Sequence, residues 1–105
     1  LDLNEHFIQH PAATFFVRVQ GYSMIGVGIH HNDLLIVDRS LEPRNGSIVV
    51  AVVDGEFTVK RLVIKGDKTW LYPENPAYES LQLGEGMELQ IWGVVAHVIH
   101  SLKEC

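Results

Sequence analysis

The chain has 105 residues, enough for one domain with a modest core, and 47% of them are apolar, which excludes a disordered chain. Thirteen acidic against eight basic residues leave a net charge of −5, and the Lys and Arg are scattered, so no direct nucleic-acid binding is expected. The longest apolar run, residues 91–99, is broken by Gly93 and His97 and is too short to span a bilayer. No basic-then-apolar leader opens the sequence, and the single cysteine, Cys105, fits a reducing cytosol, so a cytoplasmic protein with no membrane contact is expected.

In chain order, residues 3–9 read as a short helix stopped before Pro11. From Thr14 the pattern changes to period two. Phe15, Val17 and Val19 fall on one face and Phe16, Arg18 and Gln20 on the other, which is a strand ended by Gly21. Residues 33–38, with Leu34, Leu35, Ile36 and Val37 inside, read as a buried strand. Pro43, Asn45 and Gly46 then mark a turn. Residues 47–53 and 56–64 are β-rich and flank Asp54-Gly55, a strong hairpin signal because a type I′ turn needs positive φ at both central residues. A short strand over 69–72 and a loop over 73–80 follow. Residues 87–100 are β-prone, with Gly93 at a bend or bulge. The expected fold is mainly β, a compact curved sheet or partial barrel of short strands with little helix, in a single domain over 1–105.

Two residues stand out chemically. Ser23 follows the turn at Gly21, where a hydroxyl can be exposed beside backbone N–H groups able to receive an oxyanion. Most turn serines merely bond their own backbone, and a nucleophilic serine needs a base. None of the six histidines shows the local context of a familiar serine enzyme, although such triads are assembled in space. His30-His31 reads as a solvated turn. His97 and His100, three apart on a strand, fall on opposite faces, wrong for joint metal binding. Without a cysteine pair or an HExxH motif, no metal or other cofactor is expected.

The other base available to a serine is a neutral lysine. A two-residue Asp54-Gly55 loop pairs Val53 with Glu56 and Val49 with Lys60. The same-face neighbours of Lys60 are then Thr58, Leu62, Ala51 and Ser47, none of them a carboxylate. Burial there lowers a lysine pKa, because the ammonium loses hydration. The competing reading is a lysine whose stem lies on the sheet while its head reaches water. Arg61 cannot replace it, since guanidinium stays charged, and Lys65 and Lys68 flank a solvated turn.

Several separated segments, in order, resemble the UmuD branch of the LexA-type self-cleaving proteins. They are Gly21-Tyr22-Ser23-Met24, Gly28-Ile29, Asp33-Leu34-Leu35-Ile36-Val37-Asp38 and Asp54-Gly55-Glu56-Phe57-Thr58-Val59-Lys60. Leu3-Asn4, Ile8-Gln9-His10-Pro11-Ala12 and Gly93-Val94-Val95 extend the likeness over nearly the whole chain. The resemblance implies Ser23 as nucleophile and Lys60 as general base of a self-peptidase. It implies a RecA filament on single-stranded DNA as stimulus. It also implies a processed homodimer serving as accessory subunit of a UmuC-type error-prone polymerase in the SOS response. The related reading is the C-terminal self-cleavage and dimerisation domain of a LexA- or phage-type repressor. Tyr22 stands where the family often has Asp. Asn32 replaces a common glycine, a change that an Asn tolerant of positive φ can absorb. No Cys-Gly or Ala-Gly pair precedes Ser23, so the cleaved arm is expected upstream of residue 1. Residues 87–100 are the expected dimer segment, with an interior strand as the alternative.

Overall fold

A computed structural model describes residues 2–103; Cys105, read above as an exposed thiol, lies outside the described residues. Seven antiparallel strands form one open sheet: β1 (Thr14–Arg18), β2 (Leu34–Asp38), β3 (Ile48–Val53), β4 (Glu56–Lys65), β5 (Lys68–Tyr72), β6 (Leu81–Gln82) and β7 (Leu89–Ile99). Their order across the sheet is β1-β2-β7-β3-β4-β5-β6. The mainly β fold read from the sequence is the fold observed. The one α-helix among the described residues, α1 (Leu3–Phe7), is capped by the Asp2 carboxylate, which accepts from the Asn4 N–H at 2.9 Å. It ends two residues short of the sequence reading, and a 3₁₀ turn over Pro11–Ala13 leads into β1.

The β3-β4 hairpin forms in the expected register, with Val53 opposite Glu56 and Val49 opposite Lys60. Asp54 and Gly55 take φ of 47° and 85°, as a type I′ turn requires. Asn32, at φ 73°, supplies the left-handed residue its position needs.

Strand β7 takes the interior-strand alternative. It lies inside the sheet, and both of its edges are hydrogen-bonded, to β2 and to β3. Sequence position had said nothing of neighbours, and an apolar β-strand reads the same whether it is central or exposed. The free edges belong to β1 and β6. The bend expected at Gly93 is a bulge: Val50 faces Gly93 and Ala51 faces Ile91, leaving Trp92 as the extra residue.

Alternate residues of β3 feed two cores. Val50 joins Val19, Met24, Ile29, Leu35 and Val37, while Val49 and Ala51 join Leu62 and Leu71. Burying both sheet faces fixes the hairpin against the turn after β1, and that junction is where Ser23 and Lys60 meet.

Candidate active site

The serine turn is built from its ends. After β1, Val19 exchanges backbone hydrogen bonds with the turn before β2: its N–H donates to the Asp33 carbonyl, and its carbonyl accepts from Asn32. Gly21, at φ 91°, then reverses the chain, and its N–H donates to His31 Nδ1 at 2.9 Å. The His31 ring lies against Tyr22, with centroids 5.5 Å apart. His31 is exposed, as its turn position implied, yet it also braces the serine turn through a contact that no local pattern announces. Met24 plunges into the first core at 2% exposure, so the chain on either side of Ser23 is held.

Lys60 reaches this turn from mid-β4. Its Nζ lies 3.1 Å from Ser23 Oγ, and it donates to Thr58 Oγ1 at 2.7 Å and to the Val59 carbonyl at 3.2 Å. No carboxylate pairs with it among the described residues. Burial therefore holds its pKa below the ordinary lysine value, with nothing opposing. A neutral amine has two N–H groups and one lone pair. In the neutral form, donation to Thr58 and Val59 would use both N–H groups and leave the lone pair for the Ser23 hydroxyl. Thr58 came out of the register as a neighbour of Lys60; that its hydroxyl orients the amine is visible only in three dimensions. Two open grooves, about 470 and about 260 Å³, meet at Lys60. The larger is lined by Phe57, Leu71 and Leu81, and the smaller by Val17, Val19, Ser23 and Phe57.

Residues 1–96 match the Peptidase S24-like family. The chain belongs to that family. It is 52% identical over 103 residues to the protein SamA of Salmonella typhimurium LT2, covering 98% of this chain and 71% of SamA. It is 46% identical over 106 residues to the protein MucA of Escherichia coli, covering all of this chain and 72% of MucA. The LexA repressor of Ectopseudomonas mendocina is 45% identical over 91 residues, which cover 86% of this chain and 45% of the repressor. The UmuD-type resemblance read from the sequence is thereby borne out. Among the described residues, no helix is long and apolar enough to cross a membrane.

A second cluster lies at the start of β2. Asp33 is buried, and its carboxylate accepts from the His30 N–H at 2.7 Å and lies 2.5 Å from His100 Nδ1. Burial pushes its pKa up, but the His30 N–H and the His100 imidazole outweigh that and hold it below the ordinary value. The ligand atoms of His30, Asp33 and His100 lie within 4.8 Å of one another, the one metal-capable group among the described residues. Sequence reading missed it because His100 joins from 67 residues away. His97 takes no part and packs edge-on against Phe7 instead.

Proposed function

We propose that this chain is a UmuD-like protein of the SOS response whose Ser23 and Lys60 cut its own polypeptide in an N-terminal arm. The neutral Lys60 amine takes the Ser23 proton as Oγ attacks the scissile carbonyl. The resulting ammonium then returns that proton to the leaving amine, and water releases the acyl group from Ser23. In this reading a RecA filament on single-stranded DNA stimulates the cut. The shortened cytoplasmic product then acts as a homodimer on a UmuC-type error-prone polymerase. The observation that carries the reading is the 3.1 Å approach of Lys60 Nζ to Ser23 Oγ, with no carboxylate paired to the amine among the described residues. The higher identity to SamA than to the LexA repressor favours the mutagenesis role over the repressor one.

The test is self-cleavage of the natural full-length chain followed against pH. The rate should rise along one titration with its midpoint below the ordinary lysine value, because only the neutral amine is a base. Ser23→Ala should abolish cleavage. Lys60→Arg should lower it by roughly 10²–10⁴ at every pH, since guanidinium does not deprotonate. A flat profile or an active arginine variant refutes the assignment.

A further inference from the structure

Ser23 belongs to no strand, so something other than the sheet ladder must hold it against Lys60. The backbone and side-chain bonds around it come largely from Glu74 and Asn75. The Glu74 N–H donates to the Ser23 carbonyl at 2.8 Å, and the Glu74 carbonyl accepts from the Gly26 N–H at 2.7 Å. Asn75 Nδ2 donates to the Tyr22 carbonyl at 2.9 Å. These three bonds grip residues 22–26 on both sides of the hydroxyl.

The gripping residues are themselves tied to β4. Arg61 Nε lies 2.6 Å from Glu74 Oε1, and Arg61 Nη1 donates to the Gly46 carbonyl at 2.5 Å. Arg61 is the residue after Lys60. A short path of covalent and hydrogen bonds therefore runs from Lys60 through Arg61 and Glu74 to the Ser23 backbone. The fit is close: a Cβ at Gly26 would stand 2.5 Å from the Glu74 carbonyl oxygen. Gly26 has no positive φ to require a glycine, so space alone demands one there.

We infer that Arg61 and Glu74 are positioning residues: their ion pair holds residues 73–75 on the serine turn and so sets Ser23 Oγ at bonding distance from Lys60 Nζ. The catalytic consequence rests on the Ser23–Lys60 reading above. Both partners are about one-third exposed, at 31% each, so the pair contributes little to global stability. Its effect falls on geometry, and misplacing a reacting group by about 1 Å can cost up to roughly 10²-fold in rate.

The experiment measures self-cleavage of the natural full-length chain across alkaline pH, beside thermal melts of each variant. Arg61→Met with Glu74→Gln removes both charges at once and leaves the net charge unchanged. It should slow cleavage roughly tenfold at every pH while the titration midpoint stays in place. The melting temperature should move little. The swap Arg61→Glu with Glu74→Arg should recover most of the rate, which a merely structural role for either residue would not give. Gly26→Ala, which displaces the Glu74 carbonyl without touching a charge, should slow cleavage to a similar degree and also leave the midpoint unmoved. Wild-type rates in the neutral pair, a shifted midpoint, or a swap no faster than the neutral pair would each overturn the inference. Should the neutral pair not fold, Gly26→Ala decides by the same criteria of rate and midpoint. Ser23→Ala and Lys60→Arg run alongside. If they cleave, the parent reading fails; if they are dead and the neutral pair cleaves normally, only the positioning claim fails.

Discussion

Gly93→Ala tests how tightly the bulged centre of the sheet is packed. A Cβ at residue 93 would stand 2.7 Å from Val37 Cγ1 and 3.2 Å from the Asp38 carbonyl oxygen. Carbon atoms in contact sit at roughly 3.5–4.0 Å, so about 1 Å must be found. Little can give. Val37 is fully buried and β-branched, with a restricted χ1, and the second neighbour is backbone. Strand β7 cannot slide, because β2 and β3 bond both of its edges. Forcing one methyl into such a site costs about 1–3 kcal/mol. For a domain of this size that lowers Tm by about 4–20 °C. Gly84→Ala is the control, since a Cβ there meets nothing within 4 Å, and it should change stability by no more than about 0.5 kcal/mol. Thermal unfolding followed by circular dichroism reads both. A Gly93→Ala protein that melts within about 2 °C of the parent would show that the β2-β7 contact relaxes freely, and the packing argument would be wrong.

Two further perturbations probe the buried charges. Asp38 is buried at the end of β2, where its carboxylate accepts from the Ser40 N–H and hydroxyl and lies 2.6 Å from His10 Nδ1. Burial pushes its pKa up, but these bonds outweigh it and leave the folded value below 3.8. The stabilisation is therefore complete above the unfolded carboxylate range and is lost as pH falls through the folded value; Asp38→Asn should cost about 2 kcal/mol at pH 7, shrinking below about pH 4. Equal losses at pH 7 and pH 3 in urea titrations would contradict it. Lys60 has the opposite consequence. Its folded pKa is lowered by burial, so the folded state binds fewer protons than the unfolded one as pH climbs towards 10.5. Lys60→Met should thus gain about 1 kcal/mol at pH 7, and the gain should fade in the alkaline range. A variant less stable than the parent at pH 7 would mean that the bonds to Thr58 and Val59 outweigh the buried charge.

Where structure depends on neighbours in the chain, the sequence was readable. Asp54-Gly55 dictated the hairpin, and a side-chain period of two then placed Lys60 opposite Val49 without any coordinates. Gly93 was recognisable as an interruption in a β-rich run. What escaped were relations between distant segments. Strand β6 has only two residues, too few to carry a period, and exists because β5 offers it an edge. The interior place of β7 depends on β2 and β3, whose pairing no local pattern announces. The site divides along the same line. The glycine turn and the hairpin register placed Ser23 and Lys60 but left their bland readings open, and only the resemblance of the surrounding segments to UmuD-type proteins singled them out; their distance was not legible. The supporting roles were hidden: Thr58 was placed beside Lys60 only as a strand neighbour, His31 looked like a solvated turn, and Glu74 like part of a loop. Each acts through bonds that close only when the sheet curls residues 21–26 against β4 and the loop after β5. The chemistry thus depends on two kinds of information with different physical origins. Local turn and strand rules choose which side chains can react. The packing of both sheet faces brings the Ser23 hydroxyl and the Lys60 amine to 3.1 Å. A substitution can damage the second while leaving the first intact, which is why Gly26→Ala, at a residue with no reactive group, is expected to slow the proposed cleavage roughly tenfold.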